Sequence, residues 1–285
     1  MIEHWNVLKA DLSAGTVGRD SLPADLVRRF IGGRGVGAAL LASCALRGAD
    51  QLSADVPLIL AAGPLTGAGI PSGERFSLST LSPLTGTVMD TNSGGRLGRS
   101  LRRAGYDILL ISGASSDPVI LVITDDEVRT ESARDLWGRT VTETVTRLRE
   151  RWGPACGMSV IGPAGENGVR FASIMTERMR AMGRGGAGAV MGSKNLKAIV
   201  VTGSRKVPVH DPERLKVVLA ESGRWIDAHP VTSKALPALG TPMLVRICVR
   251  SGIFPLENFQ SVAVGEGQAY TGEELAKKFT VRRSG

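Results

Sequence analysis

The sequence predicts an α+β fold, and three features of the chain support this prediction. Apolar runs typical of strands occur in clusters separated by occasional helical segments, without the regular strand–helix alternation of a parallel α/β sheet. Glycine is abundant, with 36 of 285 residues, so many backbone positions need a positive φ or a close approach to a neighbour. Helical periodicity dominates only after Val209, where Asp211 and Pro212 are typical of a helix start.

The first half of the chain is predicted to combine strands with short helices. Leu8, Ala10 and Leu12 alternate with polar residues before the turn-forming Ser13 to Gly15, which indicates a hairpin over residues 5–20. The elements expected next are a helix at 26–31, a glycine loop at 32–37, a helix at 38–46, a strand at 57–62, two strands within 75–89, a loop at 92–95, a helix at 97–104, a strand at 108–111 and a hairpin at 119–128.

The second half contains the clearest helix signal, since Thr140 and Glu143 form a capping-box pattern. Strands are expected at 158–161, 169–174 and 198–201, with a glycine-rich segment at 183–192. We place a domain boundary near residue 207, which gives an N-terminal domain over 1–207 and the start of a helical domain over 208–285.

Composition and charge exclude several classes of protein. No apolar run approaches the roughly 20 residues needed to span a bilayer, and the N-terminus is not typical of a secretory signal. Three widely spaced cysteines argue against disulfides and against a cysteine-ligated metal, and suit a reducing cytoplasm. The net charge is +8, but aromatic residues make up only 4% and the basic residues are dispersed, which argues against nucleic acid and favours a small anionic ligand.

Two nucleotide-binding motifs are matched only in part. Gly33 to Ala38 follows a helical segment, whereas a dinucleotide fingerprint follows a strand. Gly188 to Lys194 ends in Gly-Ser-Lys, and a P-loop needs Gly-Lys-Ser/Thr. The arginines of the 97–104 helix, Arg99, Arg102 and Arg103, are expected on a solvated face.

Two kinds of sequence pattern bear on a binding site. Segments 33–38 and 183–189, and segments 60–64 and 159–163, are weakly similar and suggest an internal duplication. Arginine also accompanies glycine loops at 33–37, 73–75, 92–96 and 180–186, where exposed N–H groups and guanidinium groups would suit a phosphate. Composition alone leaves tight turns with incidental arginines as an equal explanation.

An ordered set of motifs gives a more specific signal. The motifs are Ala62-Gly63-Pro64-Leu65-Thr66-Gly67, Ser82-Pro83-Leu84-Thr85-Gly86, Asn92-Ser93-Gly94-Gly95, Ala104-Gly105-Tyr106-Asp107, Leu136-Trp137-Gly138, residues 161–167, Gly183-Arg184-Gly185-Gly186, residues 192–199 and Asn258-Phe259-Gln260. Taken in this order, from residue 5 to residue 260, the chain resembles the aldehyde:ferredoxin oxidoreductase family.

The resemblance implies two intertwined strand-helix-strand repeats that form a β-rich base under a cofactor, followed by the start of an all-α domain. The implied cofactor is tungsten, or molybdenum, held by two pyranopterins whose phosphates are bridged by Mg²⁺. Asn92 and Ala181 would offer backbone carbonyls to the Mg²⁺. The residues implied to contact the cofactor or to lie beside it are Arg75, Asn92, Ser93, Gly94, Gly95, Arg180, Ala181, Gly183 and Arg184.

The resemblance also implies an activity that this chain does not complete. Members of the family oxidise aldehydes to carboxylic acids and pass electrons through a [4Fe–4S] cluster to ferredoxin. The cluster cysteines and the acid–base residues are expected after the equivalent of Gly285, so no catalytic residue is assigned here. The chain is then expected to be inactive alone, as a fragment or as one subunit beside a C-terminal partner chain. A non-catalytic pterin-binding scaffold and an unrelated phosphate binder are the alternatives.

Overall fold

The computed structural model describes residues 5–262 and 267–279 of the chain. Two compact units make up the chain, Met1–His210 and Asp211–Gly285. The first unit contains two six-stranded sheets and six helices, and the second unit is mainly helical. The α+β prediction is therefore confirmed.

The first sheet is built entirely from the first six strands. Its spatial order is β2-β1-β6-β3-β4-β5. Neighbouring strands are antiparallel except β1 and β6, which pair in parallel with Val7 opposite Ile108. The strands are β1 Trp5–Asp11, β2 Thr16–Leu22, β3 Leu58–Ala62, β4 Phe76–Leu81, β5 Val88–Ser93 and β6 Ile108–Ser112.

The second sheet repeats this topology with the next six strands. Its order, read in the same sense, is β8-β7-β12-β9-β10-β11, and its one parallel pair is β7 with β12. Each strand therefore has a counterpart six strands earlier, which is strong evidence for an internal duplication. The strands are β7 Val119–Ile123, β8 Val128–Ser132, β9 Gly157–Val160, β10 Ile174–Thr176, β11 Arg180–Met182 and β12 Leu196–Val201.

The last helix of each repeat occupies a corresponding place. The third helix joins β5 to β6, and the sixth joins β11 to β12. Helix α4 begins with the predicted capping box, in which Thr140 Oγ1 accepts from the Glu143 N–H and the Glu143 carboxylate accepts from the Thr140 N–H. The helices are α1 Ala24–Phe30, α2 Gly33–Ser43, α3 Leu97–Arg103, α4 Val141–Trp152, α5 Pro163–Glu166 and α6 Ala187–Ser193.

The glycine loop predicted at 32–37 is wrong, because α2 already begins at Gly33. Its glycines are explained by packing. A Cβ on Gly37 would lie 2.3 Å from Ser79 Oγ of β4, and one on Gly35 would lie 2.4 Å from the Phe30 carbonyl oxygen. Helix α2 can therefore lie this close to β4 at Gly37 and to the end of α1 at Gly35 only because side chains are absent there.

Only one of the two sequence similarities corresponds to the structural duplication. Segments 60–64 and 159–163 do lie at the ends of equivalent strands, β3 and β9. Segment 183–189, however, links β11 to α6, and its counterpart is the link from β5 to α3 at residues 94–96. Segment 33–38 opens α2, which lies between β2 and β3, so its similarity to 183–189 does not reflect the repeat.

Three short elements differ from the prediction in the second repeat. The strand expected at 169–174 overlaps the observed strand, Ile174–Thr176, only at Ile174, and residues Pro163–Glu166 form a helical turn before it. Strand β11 was not predicted, because three residues, Arg180 to Met182, are too few to show alternation.

Arg102 and Asp107 form a buried ion pair that ties α3 to the start of β6. The Arg102 side chain is 4% exposed, and its Nε donates to Asp107 Oδ1 at 3.0 Å. Its Nη1 donates to the carbonyls of Pro64 at 3.0 Å and Thr66 at 2.8 Å. The expectation of a solvated arginine face is therefore wrong for Arg102, because the guanidinium joins two of the family-like motifs.

Lys197 forms another buried ion pair in the second repeat. It lies at a bulge in β12, is fully buried and forms an ion pair with Glu166. Its Nζ also donates to the Arg139 carbonyl at 2.9 Å, and Glu166 Oε2 accepts from the Gly138 N–H at 2.8 Å. Three further motifs, at 136–138, 161–167 and 192–199, therefore meet at one charged pair.

The second unit begins with the predicted helix start, where Asp211 Oδ1 accepts from the Arg214 N–H at 2.9 Å. Among its residues with described side chains, only Thr271 and Gly272 are buried, and large apolar side chains such as Trp225 are exposed. Its elements are α7 Pro212–Ala228, a π-helical turn Val231–Ala235, α8 Leu236–Leu239, α9 Met243–Arg250, β13 Pro255–Leu256, β14 Ser261–Val262, a 3₁₀ turn Gln268–Tyr270 and α10 Gly272–Phe279.

Within the part of the chain that the structure describes, no helix has the length and apolar character needed to cross a membrane.

Candidate cofactor-binding site

The two repeats approach each other at their edge strands. β5 is the last strand of the first sheet and β11 the last strand of the second, and these two strands lie in contact without a hydrogen-bonded ladder between them. Asn92 lies on β5 and Ala181 on β11. The two residues predicted to offer backbone carbonyls to Mg²⁺ therefore lie on adjoining edge strands.

Residues 94–96, here called the first loop, follow β5. Ser93 and Gly94 are buried, and Gly95 has a φ of 104°, which favours glycine. A Cβ on Gly94 would lie 3.2 Å from Arg180 Nη1. The guanidinium of Arg180 therefore covers the first loop from the opposite repeat.

Arg75 lies beside the same loop. It directly precedes Phe76, which pairs with Ser93 across β4 and β5, so that Arg75 and Gly94 are the next residues along the two strands. The Arg75 carbonyl accepts from Thr66 Oγ1 at 2.7 Å, which connects it to the Ala62–Gly67 motif. Its side chain is exposed.

Residues 183–186, here called the second loop, follow β11. Gly185 and Gly186 have φ values of 76° and 84°. A Cβ on Gly185 would lie 2.3 Å from Met89 Sδ, and one on Gly186 would lie 2.0 Å from the Arg170 carbonyl oxygen. The second loop thus needs glycine both for its conformation and for its approach to β5.

The side chain of Asn92 belongs to a polar network that the sequence reasoning missed. Its Oδ1 accepts from Ser77 Oγ at 3.0 Å, and its Nδ2 donates to Asp90 Oδ2 at 3.1 Å. Asp90 Oδ2 also accepts from Arg34 Nε at 2.8 Å. The Gly-Arg-Gly segment of α2 therefore supports the strand that carries Asn92. The arginine was visible in the sequence, but nothing there indicated its carboxylate partner.

Three arginines of the predicted site carry charges without partners among the described residues. The side chains of Arg75, Arg180 and Arg184 are exposed, and none forms a hydrogen bond or ion pair with the described residues. Arg34, by contrast, pairs with Asp90. Ala181 and Gly183 are exposed beside them. Uncompensated guanidinium groups next to glycine loops suit an anionic ligand.

A cleft on the first unit adjoins the first loop. That cleft, of about 510 Å³, is lined in part by Arg96, Arg103, Asp125 and Trp152, and shares only Arg96 with the first loop. Cys44, Cys156 and Cys248 are free thiols. Within the described residues, no group of three or more His, Cys, Asp or Glu side chains is arranged to hold a metal ion.

Comparison with known proteins identifies the same family that the ordered motifs resemble. Residues 7–203 match the family model described as aldehyde ferredoxin oxidoreductase, N-terminal domain. The chain is 40% identical over 284 residues to the tungsten-containing aldehyde ferredoxin oxidoreductases of Pyrococcus furiosus and Pyrococcus horikoshii, covering 99% of this chain and 47% of each relative. It thus spans about half the length of the curated relatives it matches.

Two further relatives carry other names. The WOR-like subunit of an aliphatic sulfonate oxidoreductase from Pyrococcus furiosus is 38% identical over 234 residues, 75% of this chain and 37% of the relative. A solved structure, the active site complex BamBC of benzoyl coenzyme A reductase with 1,5-dienoyl-CoA, superposes with a TM-score of 0.76 at 33% identity, covering 79% of this chain and 35% of that chain. The family match over residues 7–203, together with these identities, shows that the chain belongs to the aldehyde ferredoxin oxidoreductase family.

Proposed function

We propose that residues 1–207 form a domain that cradles a tungsten, or molybdenum, bis-pyranopterin whose phosphates are bridged by Mg²⁺. Residues 208–285 would begin a helical second domain. One observation carries the proposal: the Arg180 guanidinium lies beside Gly94, where β5 contacts β11. Two of the predicted cofactor-binding segments, one from each repeat, are therefore close together.

The residues present fit such a ligand. Pterin phosphates are anionic, and Arg75, Arg180 and Arg184 are exposed cations without ion-pair partners among the described residues. Carbonyl oxygens such as those of Asn92 and Ala181 are the hard ligands that Mg²⁺ prefers. Two glycine loops allow a ligand to approach the backbone closely.

The proposed activity is that of an oxidoreductase that converts an aldehyde and water to a carboxylic acid and passes electrons through a [4Fe–4S] cluster to ferredoxin. The metal–pterin group would supply the redox and Lewis-acid chemistry. The residues of this chain would bind the phosphates, hold the pterins in register and cover one face of the group. The cluster and the substrate pocket would come from further sequence or from a partner chain.

The names of the relatives support the proposal of a redox enzyme more strongly than they support any particular substrate. Relatives with 40% identity are called tungsten-containing aldehyde ferredoxin oxidoreductases, whereas others are named for an aliphatic sulfonate and for benzoyl coenzyme A. We infer that the cradle is common to several reactions. We also infer a cytoplasmic location, in keeping with the three free thiols.

The test is cofactor retention after anaerobic expression of the chain with tungstate, alone and with any partner encoded next to it. Metal analysis and the fluorescence of oxidised pterin should show tungsten, Mg²⁺ and pterin in the wild type. Arg75→Gln, Arg180→Gln and Arg184→Gln should each lower the retained pterin several-fold, because each removes a charge that faces the phosphates.

The matched control is Arg134→Gln, since Arg134 is also exposed but pairs with Asp117 away from the loops. It should leave the pterin content unchanged. If the wild type retains no pterin in either state, the proposal fails. Retained pterin with no aldehyde-dependent electron transfer, in the presence of every partner, would favour a non-catalytic scaffold.

A further inference from the structure

We propose that Glu177 and Ser82 are positioning residues that hold the two glycine loops, each acting from the repeat opposite to the loop that it holds. This inference rests on the proposed function, because it assigns these loops to the cofactor. It adds two residues that lie outside the set implied to contact the ligand.

Glu177 holds the first loop. The Arg96 N–H donates to Glu177 Oε1 at 2.5 Å. Arg96 is the N-cap of α3, and no side chain within its own segment caps that helix end. A carboxylate from the other repeat therefore takes the place of a local cap, and its negative charge suits the N-terminal end of the helix.

The turn that carries Glu177 has an unusual conformation. Glu177 has a φ of 60°, which is uncommon for a residue with a side chain, and its N–H donates to the Met158 carbonyl at 3.0 Å. The turn ends where Thr176 pairs with Arg180. One tight turn thus places a carboxylate beside the Arg96 N–H and a guanidinium beside Gly94.

Ser82 makes the corresponding contact in the other direction. Its Oγ donates to the Gly185 carbonyl at 2.7 Å and accepts from the Thr85 N–H at 3.1 Å. The next residue, Pro83, places its Cγ 2.9 Å from the position of a Cβ on Gly186. Ser82 belongs to the turn between β4 and β5, the counterpart of the turn between β10 and β11 that carries Glu177. The two contacts are therefore reciprocal.

Reciprocal contacts couple the loops. A loop that binds phosphate through its backbone and neighbouring arginines binds more tightly when its conformation is set before the ligand arrives. Each repeat supplies one loop and the residue that sets the other loop. We therefore expect that weakening either contact lowers cofactor retention without lowering the stability of the folded chain in proportion.

The first measurement is amide hydrogen exchange on the full chain. In Glu177→Ala, exchange at the Arg96 amide should rise about 10-fold or more, because a charge-assisted acceptor is lost. Glu177→Gln keeps an acceptor oxygen and should give a smaller rise. In Ser82→Ala, the rise should instead appear in the second loop. Glu150→Gln, which changes an exposed carboxylate elsewhere in the first unit, should change neither loop.

The second measurement is tungsten and pterin content after anaerobic expression, compared with the thermal midpoint of each variant. Glu177→Ala and Ser82→Ala should retain several-fold less cofactor than Glu150→Gln, although the thermal midpoints of all three variants should be closely similar. Glu177→Gln should retain more cofactor than Glu177→Ala and less than the wild type. A purely structural role would lower content only together with the midpoint.

Unchanged exchange in both loops would overturn the inference. Loosened loops with full cofactor content would also overturn it, while leaving the proposed function intact. A wild type that retains no pterin would instead overturn the proposed function, and the exchange results would then decide separately whether Glu177 and Ser82 hold the loops.

Discussion

Arg102 and Arg103 are adjacent on α3 but have opposite environments. Arg102 is buried against Asp107, and burial raises the pKa of that carboxyl more than the guanidinium lowers it. Arg103 is exposed, and its Nε donates to the Arg205 carbonyl at 3.2 Å. The sequence could not separate the two, because nothing within the helix predicts a partner that lies just before the next strand.

Replacing the two arginines should therefore give unequal effects. Arg102→Met should lower the free energy of unfolding by about 3–5 kcal/mol, because it leaves Asp107 buried and unpaired. Arg103→Met should cost less than about 1 kcal/mol. Urea unfolding followed by circular dichroism would measure both. Similar costs for the two variants would contradict the assignment of Arg102 as the buried partner.

Lys194 provides a pH-dependent test. Its amine is fully buried and donates to the carbonyls of Ala54 and Gly113, each at 3.0 Å, and burial lowers its pKa from 10.5 to about 8. Above pH 8 the unfolded chain keeps a proton that the folded chain has released, so the free energy of unfolding should rise with pH toward 10.5.

The comparison is between wild type and Lys194→Met, in which other titrating groups cancel. Between pH 8 and pH 10 the wild type should gain about 2 kcal/mol in the free energy of unfolding relative to the variant. Urea unfolding at the two pH values measures this difference. A difference of zero, or a loss, would mean that the amine titrates near its ordinary pKa in the folded chain.

At the level of elements, glycines in two helices differ in whether the surrounding structure leaves room for a side chain. Gly37 of α2 packs on β4, where a Cβ would lie 2.3 Å from Ser79 Oγ, whereas a Cβ on Gly223 of α7 would meet no atom within 4 Å. Gly223→Ala should stabilise its helix by about 0.5–1 kcal/mol, because alanine has the higher helix propensity.

Gly37→Ala should instead destabilise by about 1–3 kcal/mol through overpacking, despite the same gain in propensity. Scanning calorimetry with separate fits for the two units would measure both changes. Stabilisation by Gly37→Ala would show that α2 can move away from the sheet at little cost.

Local signals in the sequence identified elements whose determinants lie within them. The capping box of α4 and the start of α7 depend on residues a few positions apart, and both were predicted correctly. The start of α2 and the strand β11 depend on contacts with other parts of the fold. Gly33 to Gly37 look like a loop until β4 is beside them, and Arg180 to Met182 form a strand only because β10 is there to pair with them.

The candidate site likewise contains residues that the sequence indicated and residues that it did not indicate. Family motifs indicated Arg75, the 92–95 segment and the 180–184 segment, and the structure brings Arg180 onto Gly94. Asp90 and Glu177 were missed, because an isolated acidic residue in sequence carries no sign of the distant group that it holds. How all of these residues act on a cofactor stays a prediction.

For the whole molecule, the irregular segment at the end of the first unit offers a test of domain organisation. We expect trypsin to cleave first after Lys206 within residues 5–262. Lys206 is exposed in an irregular segment, whereas the neighbouring Arg205 is held by the Asp125 carbonyl at 2.5 Å. Mass spectrometry of the early products should identify fragments that end at Lys206, and Lys206→Gln should remove them. Earlier cleavage within the two sheets would contradict a separable N-terminal domain.

The parallel pairing of β1 with β6 also constrains how the chain forms during synthesis. Val7 pairs with Ile108, so the first strand emerges from the ribosome long before the partner that closes its sheet. Such distant pairing slows folding and leaves an open strand edge for a chaperone to protect. The first loop then lacks Glu177 until the second repeat has been translated. The proposed cofactor site should therefore form late, after both repeats have been synthesised.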